Sequence, residues 1–527
     1  MFNKLIQLFY RYPNEAGIRP EIFLPLIGEN FNQAKRQVLA FQLVTDKCYF
    51  LLFGAISAVF QRSGRVSSEL IVIRDTNGAI GWGWLAKIKR APALAWLICR
   101  PWINAYSTLN VSIAYRAANC GFHLSSFANW LKADAIWKSL QNGGKLSLNI
   151  SGIDFIDLLI DEYLRFRPSP KFNVSDPFVR YLVWRLLCSY EQSLKYFSST
   201  KPTWYLTSYT TYIEHGVPVR VALSIGINVW TFGSLNHFGK KLALEDAFAA
   251  PDFSSYRITF ENLDNKEEKI KEAEHALSYR LSGNVDEATS YMENSAYKNT
   301  DNEIKENVNG SAVIFLHDFY DSPHIYPGLI FNDFWEWVCF TIEIFKKQKI
   351  NFFIKPHPNQ IALSEGALDL LRTKYPDAKW LAPNISNVEL AKSGIVCGVT
   401  VFGTIAHELA YLGIPSIACS QHPHHAFDFC KTARSKYEYE DYLKECNTTF
   451  LSISKDEMRY QSLTFYYMHN LYGQSDELKL RKSWADFWKT SSVGCESEEK
   501  ILASFYALVS RPAFEKKLLT MLELSSM

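Results

Sequence analysis

A chain of 527 residues is too long for one hydrophobic core and divides most naturally into two domains. Its composition, 48% hydrophobic and 21% charged, is that of a globular protein, and a formal net charge of +2 supplies no concentrated basic face for nucleic acid. The ten cysteines are scattered with no CxxC pair, which argues against a zinc ribbon or dithiol redox site and fits a reducing cytoplasm.

The first segment, MFNKLIQLFYRYPNEAG, carries neither the apolar stretch nor the small-residue cleavage site of a signal peptide. The apolar run CYFLLFGAISAVF (48–60) falls short of the roughly 20 residues that span a bilayer and is expected as a buried helix. SSELIVIRD (68–75) has the character of a buried strand. The glycines of GWGWLA (81–86) resemble a dinucleotide fingerprint only superficially, because two tryptophans crowd the loop and no acidic residue follows at the required distance. The surrounding stretch mixes Lys87, Lys89, Arg90 and Arg100 with four tryptophans, which suits either packing in the first domain or peripheral contact with an anionic membrane. Helical spacing governs FIDLLIDEYLRF (155–166) and residues 177–197, with Pro177 in a first turn. TWYLTS (203–208) is the next expected strand, VPVRVALSIG a short helix, and INVWTFG another strand.

Residues 261–310 are strongly polar with one charged helix near 265–281, the best boundary in the chain. The expected organisation is therefore a domain over 1–260, a polar helical linker over 261–310, and a second domain over 311–527 that includes the C-terminal helices. In the second half, AVIFLH (312–317), INFFIKP (350–356), GIVCGV (394–399) and IPSIACS (414–420) alternate with helical stretches. Continuous apolar strands alternating with helices predict an α/β fold with parallel sheets covered on both faces.

Three polar clusters each follow one of these strands: HDFYDSPH (317–324), KPHPN (355–359) and TVFGTIAHE (400–408). Strand carboxyl ends share one edge of a parallel sheet, so the clusters are expected to converge. Gly403 and Thr404 opening a helix offer backbone N–H groups and a hydroxyl to an anion, with Lys355 and His357 adding donors and Glu408 suited to ribose hydroxyls. The plainer alternative is a helix cap with Glu408 on the surface. Asp318 and Asp321, flanked by His317 and His324, are carboxylates suited to base or nucleophilic chemistry, or to capping alone. In the first half SYTTYIEHGVPVR (208–220) follows a strand and carries Glu214, His215 and Arg220. HELAY lacks the second histidine of a zinc-protease motif, and HPHH (422–425) is more naturally a polar loop than a metal site.

On these stretches the chain resembles the capsule- and O-antigen-type glycosyltransferases that transfer 3-deoxy-D-manno-oct-2-ulosonic acid (Kdo) from CMP-Kdo. It is distantly similar to bacterial sialyltransferases, whose HP motif contacts the CMP phosphate. The carrying residues are YTTYIEHGVPVRVALSIGINVW, YRLSGNVDEATSYMENSAY, FLHDFYDSPH, IKPHPN and VFGTIAHELAYLGIP, spanning about residues 150–430. The resemblance implies a GT-B fold, two Rossmann-like domains facing a central cleft, and a retaining reaction without metal or other cofactor. By motif it implies Asp321 as catalytic carboxylate, His357 on the donor phosphate, and Glu214 as an assisting group. Lys355, Pro358, Gly403, Thr404, Glu408, His324 and Arg220 complete the expected donor site. The expected partners are a CMP-Kdo-like donor and a glycan or lipid-linked glycan acceptor, with the protein cytoplasmic and in peripheral contact with the inner membrane. Two departures from the family pattern bear on the donor sugar: Gly-Thr replaces a double Ser, and YDSPH stands where a small-residue loop is usual. The alternatives are a polyol-phosphate transferase using a CDP-alcohol and a non-catalytic nucleotide- or sugar-binding scaffold.

Overall fold

A computed structural model describes residues 37–44, 47–62, 66–74, 103, 106, 112–118, 124–142, 146–167, 169–233, 238–250, 253–284, 304, 306–358, 360, 362–422, 424–446, 453–473, 475–493 and 497–524. The tryptophan-rich stretch 82–102 and most of the motif at 279–297 lie outside these residues. The chain forms two compact units, Met1–Arg167 with Asn173–Ala249 and Ser475–Met527 in one, and Pro168–Phe172 with Ala250–Gln474 in the other.

The first unit is built on strands β1 (Gln37–Gln42), β2 (Val66–Arg74) and β3 (Ser112–Ala118). A small hairpin follows, β4 (Asn149–Ile150) with β5 (Ile153–Asp154), and then β6 (Trp204–Thr207), β7 (Asn228–Phe232) and β8 (Gly239–Lys241). The main sheet runs β3-β2-β1-β6-β7-β8, parallel except for the antiparallel β7/β8 edge. The chain winds outward from β1 through β3, then returns to β6 on the other side, so the topological switch point lies between β1 and β6. As expected, the run at 48–60 forms a buried helix, Lys47–Arg62. It is buried on every face and largely apolar, with Ser57 satisfied by Ser68 and Gln61, which suits a helix enclosed by a core rather than a surface one. Among the described residues, no helix is long and apolar enough to cross a membrane.

That same core takes in the end of the chain. Leu480, Trp484 and Phe487 from the helix Ser475–Trp488 are fully buried against Phe53, Trp204 and Phe232, together with Phe505, Phe514, Leu518 and Met521 from the last two helices. The expected assignment of 475–527 to the second domain is corrected accordingly. The apolar faces of these helices complete the core around Lys47–Arg62, a partnership between opposite ends of the sequence that spacing does not announce.

The second unit contains β9 (Ala312–Phe315), β10 (Phe352–Lys355), β11 (Lys379–Trp380), β12 (Cys397–Val399), β13 (Ser416–Ala418) and β14 (Cys430–Thr432). Its sheet is parallel throughout in the order β11-β10-β9-β12-β13-β14, with the switch point between β9 and β12. Separate apolar clusters cover its faces. Gly398 in β12 allows close helix approach, since a Cβ there would stand 2.3 Å from Leu409 Cδ1. Asp333 caps the helix Phe334–Lys347 by accepting from the Glu336 N–H (2.7 Å), and its other oxygen accepts from the Phe172 N–H (2.7 Å), holding that residue in place. The charged helix Lys266–Leu281, expected within a linker, instead packs Ala273 and Leu277 against Tyr411, Leu463 and Tyr466.

Candidate functional site

The second unit brings its post-strand loops together at the switch point, as the sequence predicts. His317 follows β9 and Thr400 follows β12, and His317 Nε2 lies 3.0 Å from Thr400 Oγ1. The imidazole stacks on Phe334 at 4.9 Å and meets Phe402 at 4.6 Å, which fixes its plane. Thr400 Oγ1 also accepts from the Gly403 N–H at 3.2 Å, and a Cβ on Gly403 would stand 2.8 Å from that oxygen. The residue must therefore be glycine for the loop to fold back this tightly. Burial, and then the adjoining positive potential of His357, hold His317 well below the ordinary imidazole range. The loops after β9, β10 and β12 thus share one rim.

His357 is half-buried on this rim and Pro358 exposed; Asn359 lies outside the described residues. Of the two neighbouring carboxylates, Asp318 is committed to the loop, Oδ1 accepting from the Tyr320 N–H (2.9 Å) and the Ser364 hydroxyl (2.8 Å). Asp321 is exposed, with Oδ1 accepting from the Ser322 N–H (2.9 Å), and His324 is half-buried nearby in sequence.

Four expectations change. Lys355 does not face the rim as a free cation: it is 4% exposed, Nζ donates to the Pro383 carbonyl (3.1 Å), and burial pushes its pKa down to about 8. The Gly403 amide, expected to meet an anion, is spent on Thr400, leaving exposed Thr404 at the start of the seven-residue helix Ile405–Tyr411 with no capping bond from its side chain. Glu408 is buried and paired with Arg280 at 2.8 Å, so the polar segment taken as linker supplies its partner in place of a ribose. Arg220 is likewise internal: it grips both carboxylate oxygens of Asp157 and donates to the Asp154 carbonyl (2.6 Å), and burial makes this pair a structural clamp.

In the first unit, Glu214 and His215 sit in a tight π-helical turn, Tyr212–Gly216, after β6. Both are half-buried. The turn is anchored where Glu162 Oε2 accepts from the Ile213 N–H (3.2 Å) while Oε1 pairs with buried Arg185 (3.2 Å). Two further anchors were not legible beforehand. Gln42 ends β1 and Thr207 ends β6, and the Gln42 amide meets His215 Nδ1 at 2.9 Å and the Glu214 carbonyl at 2.7 Å.

A second missed group lies deeper in the second unit. Within HPHH, His422 and His424 are not solvated but fully buried, their Nδ1 atoms 2.7 Å apart. The chain continues from His424 Nε2 to His407 Nδ1 (3.3 Å) and from His422 Nε2 to Thr432 Oγ1 (2.8 Å). Among the described residues no three His, Cys, Asp or Glu side chains are grouped so as to hold a metal ion.

No protein-family model matches the chain, and no curated protein matches its sequence. Solved structures resemble it distantly. A UDP-GlcNAc 2-epimerase from Neisseria meningitidis bound to UDP-GlcNAc has 10% identity over 77% of this chain and 90% of its own, at a TM-score of 0.20. A spinosyn rhamnosyltransferase complexed with thymidine diphosphate has 9% identity over 93% and 100%, TM-score 0.20. A wall teichoic acid polymerase has 9% identity over 96% and 92%, TM-score 0.17. At such values the strand order itself defines the architecture: two α/β units of Rossmann-like winding, each with polar residues gathered at its switch point.

Proposed function

We propose that the chain is a GT-B glycosyltransferase moving a Kdo-like ulosonic acid from a CMP-activated donor to a surface-polysaccharide or lipid-linked glycan acceptor. The observation that supports this best is the His317–Thr400 contact across the second unit's switch point, with His357 beside it. Ligands of open α/β sheets bind outside the strand carboxyl ends at such a crevice. The donor's identity rests on the motif resemblance.

In this reading His357 donates to the donor phosphate, with the Thr404 hydroxyl as a second donor. Asp321, the exposed carboxylate of its loop, attacks the anomeric carbon, and the C–O bonding pair leaves with CMP. An acceptor oxygen then displaces the Asp321 carboxylate, restoring it and retaining the anomeric configuration. Glu214 assists on the acceptor side.

The test is CMP release from CMP-Kdo in the presence of EDTA. Asp321→Asn and His357→Ala should each lower release by roughly a hundredfold or more with unfolding temperatures unchanged. Wild-type release in both variants removes the site assignment. A product that gains a phosphodiester rather than a sugar acid replaces the reaction with polyol-phosphate transfer.

A further inference from the structure

The first unit carries a polar cluster at its own switch point, between β1 and β6. Gln42 is 1% exposed and makes two contacts whose chemistry determines its orientation. The Glu214 carbonyl only accepts, so the Gln42 atom 2.7 Å from it is the donor Nε2. The other end of the amide, Oε1, then faces His215 Nδ1 at 2.9 Å and can only accept. Nδ1 therefore carries the proton, and neutral His215 presents the lone pair of Nε2, which makes no hydrogen bond among the described residues.

Other contacts hold this arrangement in place. Thr207 Oγ1 donates to the Tyr209 carbonyl (2.7 Å) and lies 3.3 Å from Gln42 Oε1. Thr210 Oγ1 accepts from the Ala249 N–H (2.9 Å). A Cβ on Gly216 would stand 2.6 Å from the Thr210 carbonyl, so the turn admits only glycine there. Tyr209, 48% exposed, sets its ring 5.7 Å from the imidazole. Burial lowers the His215 pKa and Glu214 opposes that shift. Among the described residues, Tyr209 and Glu214 are titratable groups beside the imidazole, and the Glu214 carboxylate also faces Arg185 from the helix Pro177–Thr200 and Tyr205 from β6.

The geometry points to His215 as the proton acceptor for the hydroxyl of a glycan acceptor, with Gln42 as the residue that positions it. This assignment rests on the glycosyl-transfer reading for the nature of the substrate. In the step, the acceptor O–H bond breaks and its proton passes to Nε2. The oxygen's electron pair forms the new bond to the anomeric carbon, as that carbon's bond to its carrier oxygen breaks and the pair leaves with the carrier. The resulting imidazolium keeps its Nδ1–H on Gln42 Oε1.

Two measurements on the full chain test it. Nitrogen NMR of ¹⁵N-histidine protein, with His215→Phe supplying the assignment, should show the Nδ1–H tautomer, and Gln42→Leu should mix the tautomers. The second is steady-state CMP release from CMP-Kdo, with water as the probe hydroxyl. His215→Phe should lower kcat at least a hundredfold while CMP affinity by calorimetry stays within twofold. Gln42→Glu, whose carboxylate cannot donate to the Glu214 carbonyl, should lower kcat and also move the acid limb of the pH profile upward by about one unit, because the carboxylate favours the imidazolium. An Nε2–H tautomer in the wild type, or an unchanged kcat in His215→Phe, overturns the assignment. A wild-type protein that releases no CMP but shows the Nδ1–H tautomer overturns the donor reading instead.

Discussion

His317 and Thr400, at the ends of adjacent parallel strands, meet through Nε2 and Oγ1 at 3.0 Å and so tie two loops together across the switch point. The threonine is 1% exposed and also accepts from the Gly403 N–H, so one hydroxyl both folds its own loop back and holds the loop after β9. Thr400→Val keeps the shape and deletes the hydroxyl. With a net hydrogen bond worth about 1 kcal/mol, and a further cost for the orphaned Gly403 amide, CMP affinity should fall roughly tenfold. Calorimetric titration with CMP checks this; equal affinity in the variant would remove the hydroxyl from the site's architecture.

Gly403→Ala probes the same fold-back from the steric side. The new methyl would stand 2.8 Å from Thr400 Oγ1 and 3.7 Å from His317 Cε1. Because Thr400 is held by two partners, the loop must shift, and overpacking of this kind costs about 1–3 kcal/mol. The expected result is weaker CMP binding with a smaller loss of global stability, read from paired calorimetry and urea unfolding. A variant that loses stability while binding CMP as the wild type does would make the glycine purely structural.

Glu408 separates two roles cleanly. A ribose ligand would make Glu408→Leu a binding defect with normal stability. The buried pair with Arg280 instead predicts an uncompensated cation in the interior, costing about 3–5 kcal/mol. Replacing both partners, Arg280→Met with Glu408→Leu, should recover most of that loss, since an apolar pair of similar volume removes both desolvated charges. Chemical denaturation of the single and double variants gives the coupling directly.

The comparison of sequence with structure turns on how far apart partners lie. Runs such as AVIFLH and INFFIKP announced strands because their apolar character is continuous, and strand-then-loop order alone placed His317, His357 and Thr400 on one rim. β1 was not foreseen, although it is central to the first sheet, because QVLAFQ is short and lacks turn signals of its own. Arg280 sits in a segment polar enough to pass for linker, so nothing local tied it to Glu408. The same blindness affected Arg220, whose partner Asp157 lies on an earlier helix, and the C-terminal helices, whose core partners come from the start of the chain. Histidines count as polar by type, so HPHH gave no sign that two of them are enclosed.

Those enclosed histidines give the second unit an acid sensitivity of calculable sign. Burial holds His407 and His424 well below the ordinary imidazole range and His422 down to about 3, so all three are neutral in the folded state. The bonding pattern agrees: His422 Nδ1 accepts from the His424 backbone N–H at 3.0 Å, which requires that nitrogen to be unprotonated. In the unfolded chain each titrates near 6.5. Above that pH neither state binds these protons and their stability contribution is constant. As pH falls below about 6.5 the unfolded state takes up protons that the folded state refuses, so stability declines, until the folded histidines themselves protonate near 3 for His422. Three such sites give a limiting slope of about 4 kcal/mol per pH unit. His422→Gln should remove one proton's share, about 1.4 kcal/mol per pH unit, from the dependence of urea unfolding between pH 6 and 4. A slope unchanged by that substitution would mean that His422 binds its proton equally in both states, which its enclosure opposite Thr432 and His424 does not permit.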